Sequence, residues 1–373
     1  MASEKTVWSH NEWDPLEEVI VGTIEGVAVP VLTYEMKTMI RRDYWDFYLK
    51  HGGKPYPPEM VKKAAKALNN LQEVLEGEGV IVKRPDRADY AANVFKTPFF
   101  QSSGFFNADV RDVLVVIGDE IVEAPMAFRP RYFEYLKYRS LIQEYFKKGA
   151  RWTAAPKCSM SDALYDWDYP EEFMTFFRGD PNVPDNVGPL AGRYITTESE
   201  PCFDAADIAR FGKDILCQRS QVTNDLGIQW LERHLGEQYR IRRVKFRDPA
   251  PVHIDATWVP IGEGRVLSCP DRVCLSEDIL EMFKKARWEI LFPPEGVAKA
   301  DFHLSSRWLS MNILVIDEER VLVEKHEEPT IKFFKEIGLK PVTVDFKDHY
   351  VFGGGLHCST CDIRRRGDLK SYF

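Results

Sequence analysis

The sequence predicts an α/β fold in which five similar units close into a ring, a five-bladed α/β propeller with its pocket at the centre. Two observations support this prediction: five amphipathic helical stretches each lead into a short strand, and apolar β-hairpins lie between them. A unit of this size cannot bury its own apolar face, so the five units are expected to pack together. The alternative is an open α/β sheet in two domains, but no linker-like Pro/Gly/Ser stretch divides the 373-residue chain.

The helices are predicted where apolar residues recur on one helical face and a glycine or a strand follows. They cover residues 60–75, 132–148, 226–235, a stretch after the capping residue Ser276, and 330–337. The strands that follow these helices are predicted at residues 80–82, 151–153, 239–241, 288–291 and 342–344. Each pair of helix and strand forms the second half of one unit.

The hairpins supply the first half of each unit. They are predicted at 112–117 with 120–122, 257–261 with 266–267, and 312–316 with 321–323, while strands 18–22 and 214–218 begin two more. Residues 166–192 are rich in Pro, Gly, Asp and Phe and show no period. We interpret them as a surface insertion within a single domain that spans residues 1–373.

Composition excludes several classes of function. Hydrophobic residues make up 44% of the chain, which is enough for a sizeable core. The net charge of -8 argues against binding to nucleic acid or to an anionic membrane. The N-terminal residues resemble neither a secretory signal nor a transit peptide, and the longest apolar runs are too short to span a bilayer. The seven cysteines are an odd number, typical of reduced thiols. We expect a cytoplasmic protein.

Cys358 is the candidate nucleophile. It follows three consecutive glycines, 353–355, which order at a high entropic cost and mark a tight turn or a close approach. A catalytic and a structural cysteine are equally good interpretations of these residues alone. Cys361 completes a CxxC pattern with Cys358, but a redox or zinc role is less well supported because no second CxxC occurs.

A nucleophilic cysteine needs a base and a group that orients the base. His253 is the best candidate for the base, and strand alternation would place it on the same side as Asp255; a solvated histidine at a strand end is the alternative. Asp204 is the candidate orienting carboxylate, with a helix N-cap as its alternative. Asp112 and Asp255 each begin an apolar hairpin, and two such carboxylates would hold a guanidinium if they converge.

Five longer segments together resemble one family. They are residues 11–22, 123–127, 200–207, 253–257 and 353–367. This set is similar to the glycine amidinotransferase family, enzymes that move an amidino group from L-arginine to an amine. The resemblance implies the pentein fold, a five-bladed α/β propeller of ββαβ-type modules around a central active site, in agreement with the five units above.

The resemblance also implies roles for individual residues. Cys358 matches the nucleophile, His253 the general acid/base, and Asp204 the carboxylate that orients the histidine. Asp112 and Asp255 match the acids that hold the guanidinium of arginine. Arg272 matches the residue that binds the α-carboxylate of arginine, and Ser305 and Ser306 match further substrate contacts.

The implied reaction releases L-ornithine from an amidino-Cys358 intermediate and then transfers the amidino group to an acceptor amine. It needs neither a metal nor an organic cofactor, and the resemblance implies a homodimer. A hydrolase of the same fold, which would convert arginine to citrulline, is the first alternative. A non-catalytic arginine-binding protein is the second.

The acceptor site is where the chain departs from the family pattern. Glycine-specific members carry Asn and Met at the positions that Ala250 and Val252 occupy before His253. The substitutions remove an amide and shorten a side chain, which predicts a roomier, less polar pocket. The acceptor is therefore expected to be glycine or a larger primary amine, such as lysine or an amine of a specialised metabolite.

Overall fold

The structure, a computed structural model, describes residues 5–87, 94–103, 108–175, 183–184, 186–300, 302 and 306–373. In chain order the strands are β1 (Leu16–Val21), β2 (Ile81–Lys83), β3 (Val94–Lys96), β4 (Gln101–Ser103), β5 (Leu114–Ile117), β6 (Glu120–Glu123), β7 (Arg151–Ala154), β8 (Ile208–Phe211), β9 (Asp214–Gln218), β10 (Arg240–Val244), β11 (Trp258–Gly262), β12 (Arg265–Ser268), β13 (Glu289–Leu291), β14 (Leu314–Val315), β15 (Arg320–Glu324), β16 (Lys340–Val344) and β17 (Thr360–Arg365). The helices are α1 (Trp45–His51), α2 (Pro58–Gly77), α3 (Val110–Val113), α4 (Arg139–Lys147), α5 (Asp225–Leu235), α6 (Glu277–Lys285) and α7 (Glu328–Glu336).

Five three-stranded sheets repeat one pattern in the described part of the chain. In four of them an antiparallel hairpin is followed by a helix and by a third strand that pairs in parallel: β5-β6-β7, β8-β9-β10, β11-β12-β13 and β14-β15-β16. A helix carries the chain from the second to the third strand, as a parallel connection requires. The five predicted units are therefore confirmed, four of them as ββαβ modules that are continuous in the chain. The prediction that strands 18–22 and 214–218 each begin a hairpin is wrong, because 214–218 is the second strand of its hairpin and β1 pairs with β17 from the other end of the chain.

The fifth sheet joins the two ends of the chain. Strand β17 pairs antiparallel with β1, so that Leu16 lies opposite Arg365 and Val21 opposite Thr360, and β2 completes the sheet in parallel with β1. This pairing closes the cycle of modules with residues more than 300 positions apart in the sequence. It also fixes the start of β17, where Cys358 lies two residues before the first strand residue.

The apolar faces of the helices cover these sheets. On α2, the side chains of Ala64, Leu68, Leu71 and Leu75 are fully buried, as the stripe in the sequence predicts. The same helix packs against the short 3₁₀ helix Lys347–Phe352, which leads into the three glycines before Cys358. Burial of this stripe therefore supports the segment that carries the candidate nucleophile.

Replacing Leu68 by Ala is expected to destabilise the protein by about 3 kcal/mol, because a buried leucine loses its transfer free energy and leaves a cavity. Leu49 on α1 is 67% exposed, so Leu49→Ala is the matched control and should change stability very little. Urea unfolding followed by circular dichroism measures both variants. Equal midpoints for the two would contradict this assignment of the core.

Some predicted elements differ in detail. The prediction of one helix over residues 132–148 is wrong in its first half, because α4 begins at Arg139 after the 3₁₀ helix Glu134–Tyr138. Ser276 does lie at the N-cap of α6, but its hydroxyl accepts the backbone N–H of Lys245 at 2.9 Å and not that of a helix residue. It therefore joins α6 to the end of β10.

The predicted insertion 166–192 is described except at 176–182 and 185, and its described part contacts several other segments of the chain. Tyr34 stacks on Trp167, and its hydroxyl donates to the carbonyl oxygen of Tyr169 at 2.7 Å. On the other side, Lys245 donates to the carbonyl of Leu190 at 3.2 Å. Among the described residues, no helix combines the length and hydrophobicity that crossing a bilayer requires.

Candidate active site

Three glycines bring the Cys358 segment close to two polar side chains. Gly353 has φ +101°, a conformation that favours glycine. A Cβ at Gly354 would collide with the carboxylate of Asp109, and one at Gly355 would lie 2.6 Å from Oδ1 of Asn312. Gly353 is therefore needed for the turn and Gly354 and Gly355 for close approach, as the three consecutive glycines before Cys358 predict.

The Cys358 thiol is buried between an amide and a carboxylate. Asn312 donates from Nδ2 to Sγ at 3.1 Å, and its Oδ1 accepts the backbone N–H of Cys358 at 3.0 Å. Sγ lies 3.2 Å from Oδ2 of Asp255. Burial, together with the carboxylates of Asp255, Asp109 and Asp112, raises the pKa of this thiol well above its usual value. A bound cation is what would bring this pKa back down.

His253 lies between two carboxylates. Its Nε2 is 3.2 Å from Oδ2 of Asp204, and its Nδ1 is 3.5 Å from Oδ1 of Asp112. Burial lowers the pKa of the ring, but Asp112 and Asp204 outweigh burial and raise that pKa to about 9. The histidine is therefore a cation at neutral pH and a proton donor to whatever binds beside it.

The backbone at His253 contradicts one prediction. His253 has φ +65°, in the left-handed region, and strand β11 begins only at Trp258. The prediction that strand alternation places His253 and Asp255 on the same side is therefore wrong. Both residues lie in a turn, and their side chains contact different partners. A strained backbone at such a residue is typical of functional sites, where the surrounding structure holds it in place.

Asp204 and Asp112 converge on the same histidine and the same arginine. Asp204 occupies the N-cap position of the 3₁₀ helix Ala205–Asp207, but its side chain makes no capping bond and turns to His253. Asp112 lies in α3, so its assignment to the first position of a strand is wrong. Nη1 of Arg131 is 2.5 Å from Oδ2 of Asp112 and 3.9 Å from Oδ2 of Asp204.

Two carboxylate oxygens in this cluster accept no hydrogen bond from the described part of the chain. Among the described residues, Oδ1 of Asp112 and Oδ1 of Asp204 are buried and accept no hydrogen bond. Buried carboxylate oxygens nearly always have donors, so such atoms mark the place of a missing partner. Asp112, Asp204 and His253 also have the spacing of metal ligands, with donor atoms within 4.8 Å. Arg131 already serves these carboxylates as an internal cation.

Asp255 completes the cluster from the opposite side. Its Oδ2 contacts both the Cys358 thiol and Nδ1 of His357, the latter at 2.9 Å. Burial opposes its ionisation, but His357 and His253 outweigh burial and hold the pKa of Asp255 below its ordinary value. Asp255 therefore stands as an anion directly against the thiol.

The other predicted contacts lie around this cluster. Arg272 is buried, and its Nη2 donates at 2.6 Å to the carbonyl of Ala256, on the turn that carries Asp255. Ser306 is buried, and its Oγ accepts the N–H of Trp308 at 3.1 Å. Ser305 lies outside the described residues. Ala250 and Val252 are buried in the segment before His253.

Sequence reasoning missed three site residues. Asn312 and Arg131 bond directly to the thiol and to Asp112, but nothing in their local sequence marks them. His357 touches Asp255, and its position next to Cys358 was a signal that could have found it. The missed residues orient and neutralise the predicted ones.

No protein-family model matches the chain. Curated relatives, however, match it over nearly its full length. The mitochondrial glycine amidinotransferase of Xenopus laevis is 50% identical, covering 100% of this chain and 86% of that protein. The L-arginine:L-lysine amidinotransferase of Pseudomonas savastanoi pv. phaseolicola is 42% identical, covering 98% of this chain and 96% of that protein. The chain belongs to the glycine amidinotransferase family.

Solved structures agree with membership of this amidinotransferase family and with the pentein fold. A Microseira wollei amidinotransferase of the saxitoxin pathway superposes with a TM-score of 0.86 at 44% identity, covering 99% of this chain and 100% of that one. A cyanobacterial arginine dihydrolase domain superposes with a TM-score of 0.59 at 11% identity, covering 94% of this chain and 98% of that one. At that identity the likeness shows the fold alone. The predicted five-bladed α/β propeller is confirmed.

Proposed function

We propose that this chain transfers the amidino group of L-arginine to a primary amine through a covalent intermediate on Cys358. One observation carries the proposal: a buried thiol lies against the carboxylate of Asp255, in the field of Asp112, with a protonated histidine beside Asp112. A thiol among carboxylates stays largely protonated, and is therefore a weak nucleophile, until a cation binds. The guanidinium of arginine is such a cation, and it is also the electrophile.

Asp112 and Asp255 hold the guanidinium in this proposal. Among the described residues Oδ1 of Asp112 accepts no hydrogen bond and has only the His253 ion pair at 3.5 Å, while the guanidinium offers five N–H donors in a planar fork. Carboxylates at its edges fix the plane and leave the central carbon facing Sγ of Cys358. Arg272, Ser305 and Ser306 are proposed to hold the amino-acid end of arginine, with Arg272 on the carboxylate.

The first half-reaction forms the intermediate. The bound guanidinium lowers the pKa of the thiol, which loses its proton to solvent, and the resulting thiolate attacks the central carbon to give a tetrahedral adduct. His253, a cation at neutral pH, donates its proton to the departing nitrogen, and the carbon–nitrogen bond breaks. Ornithine leaves, and the amidino group stays on Sγ.

The second half-reaction reverses the proton transfer. His253 is now neutral and accepts a proton from the incoming amine, whose nitrogen attacks the amidino carbon. The carbon–sulfur bond breaks with its electron pair going to sulfur, and the guanidino product leaves. His253 is again protonated, and the Cys358 thiolate takes its proton back from solvent. Asp204 holds the ring in position through both steps. Arginine and the acceptor occupy the site in turn, so ping-pong kinetics are expected.

The acceptor is proposed to be glycine or a larger primary amine. Relatives named for glycine and for lysine as acceptors are 50% and 42% identical to this chain. The segment before His253 is held in place, since the N–H of Ala250 donates to Asp248 at 2.9 Å and the N–H of Gln221 to the carbonyl of Pro251 at 2.9 Å. We propose that the side chains of Ala250 and Val252 form part of the wall of the acceptor pocket.

Enlarging both side chains of this segment is expected to select small acceptors. The double variant Ala250→Asn with Val252→Met should lower kcat/KM for lysine-sized amines about tenfold relative to glycine, since added bulk costs about 1–3 kcal/mol in such a pocket. Val273→Met, at a valine that is 39% exposed, is the control. Ornithine release is measured with each amine. An unchanged preference would remove Ala250 and Val252 from the acceptor site.

Two alternatives make different predictions. A hydrolase would release citrulline from arginine without an amine, and a non-catalytic binder would release nothing. Amidinotransferases match this chain at 42–50% identity, whereas the hydrolase domain matches at 11% and shows only the fold. Incubation with arginine and a panel of amines distinguishes these functions. Transfer predicts ornithine plus a guanidino product, while formation of citrulline without an acceptor would contradict the proposal.

We also propose that residues 1–373 act as a single domain that forms a homodimer in the cytoplasm. All seven cysteines are unpaired in the structure, which supports a reducing compartment. Closure of the modules by β1 and β17 supports a single unit. Light scattering on the purified chain tests the homodimer, and a monomeric mass would overturn it.

A further inference from the structure

A buried ionic network lies behind Cys358, and the reaction above leaves it unused. His357 is 9% exposed and lies between two carboxylates. Its Nδ1 is 2.9 Å from Oδ2 of Asp255, and its Nε2 is 3.6 Å from Oε2 of Glu12. Glu12 and His357 belong to the N-terminal and C-terminal segments that carry the family resemblance.

The network continues behind Glu12 through buried charges. Oε2 of Glu12 accepts from Nη2 of Arg210 at 2.6 Å, and the same Nη2 lies 2.8 Å from Oδ2 of Asp362. Arg111 donates to Oδ1 of Asp362 at 2.6 Å. These groups come from four different parts of the chain and fix Glu12, and so they fix the far side of the His357 ring.

A single oxygen connects this network to the nucleophile. Oδ2 of Asp255 takes both the Nδ1 contact of His357 and the Sγ contact of Cys358, the latter at 3.2 Å. Asp255 lies in a turn before β11, so no strand pairing fixes its side chain. The contact with Nδ1 of His357 therefore holds Oδ2 at the position where it meets the thiol.

The charges around His357 favour its protonated form. Asp255 and Glu12 face its two nitrogens, Arg111 opposes their effect, Asp362 also interacts with the ring, and Cys358 is the next residue in the chain. Burial and Arg111 lower the pKa of the ring, but the bonds to Asp255 and Glu12 outweigh them and raise it. The same contact lowers the pKa of Asp255 in spite of its burial.

We propose that His357 is a positioning residue: its protonated ring holds Asp255 as an anion against the Cys358 thiol and thereby sets both guanidinium binding and the reactivity of the thiol. The proposal rests on the proposed function for its catalytic consequence. Its effect on the thiol does not depend on which substrate the site takes.

The variant His357→Asn separates charge from hydrogen bonding. Asn retains an N–H donor near the position of Nδ1 but carries no charge. Loss of a cation one residue away lowers the fraction of the Cys358 thiol that is ionised at pH 7, so alkylation of Cys358 by iodoacetamide should be about tenfold slower at this pH. Peptide mass spectrometry follows Cys358 itself as a function of pH, without substrate. The value of kcat/KM for arginine should fall about tenfold at pH 7.

His234→Asn is the matched control, because His234 also pairs with a carboxylate, Glu120 at 3.1 Å, but lies on α5 outside the site. It should leave both readouts unchanged. If His357→Asn has the wild-type alkylation profile, the proposal is overturned. If the wild type forms no amidino adduct, the proposed function fails, while the alkylation profile still decides the role of His357.

A measurement on the wild type covers the case in which His357→Asn does not fold. Carbon-13 labelling of histidine makes the His357 ring visible by NMR, and its titration reports its charge directly. We expect His357 to titrate above the ordinary histidine value of about 6.5. A titration at or below that value would overturn the proposal.

Discussion

Replacing Cys358 by alanine is expected to abolish amidino transfer, lowering kcat by about 10⁴-fold or more. The variant lacks the only atom that carries the amidino group in the proposed mechanism, and the histidine and carboxylates have no substitute for it. Ornithine release from arginine in the presence of an amine is the measurement. Circular dichroism shows whether the variant is folded.

The control for this variant is Cys361→Ala. Cys361 is buried in β17, and its Sγ lies 3.5 Å from the carbonyl of Leu114. We interpret it as a structural neighbour, so its replacement should leave most of the activity. A folded Cys361→Ala protein as inactive as Cys358→Ala would instead support a dithiol mechanism and contradict the single-nucleophile account.

Replacing Asp204 by asparagine is expected to lower the rate of ornithine release about 10³-fold. The carboxylate orients the His253 ring and stabilises its charge, and the neutral amide does neither as well. Asp119→Asn, at a surface carboxylate that is 42% exposed, is the matched control. A single-turnover assay with arginine alone isolates the step in which His253 acts as an acid.

The same variant should change the pH profile in a defined direction. In the wild type His253 has a pKa of about 9, so ornithine release should fall as the pH rises above 9 and the acid is lost. Loss of the Asp204 anion lowers that pKa, so the fall should begin at a lower pH. A descending limb at the same pH in both proteins would mean that His253 is not the acid.

Local patterns in the sequence predict the modules well. The stripe on α2 and the stretches of α5 and α7 are amphipathic, and their burial follows directly from that periodicity. The pairing of β1 with β17 was not predicted, because strand register between distant segments depends on tertiary packing and leaves no local signal. Asp112 was placed in a strand because the apolar run after it continues without a break, whereas its backbone forms the short helix α3.

The candidate site shows a similar division. Cys358 stands out through its glycines, and the resemblance supplied His253, Asp204, Asp112 and Asp255. The structure brings His253 together with Asp204 and Asp112 and places Asp255 against the thiol. The role of Arg131 could not be predicted from the sequence. This buried cation is required only because several carboxylates converge in the folded chain. That convergence is a property of the closed ring of modules and of no single segment.

The most direct test of the account is mass spectrometry of the protein after incubation with arginine and no acceptor. We predict that one amidino group is attached to Cys358, that one equivalent of ornithine is released, and that adding a primary amine removes the group as a guanidino product. An unmodified Cys358 accompanied by a steady release of citrulline would contradict the account.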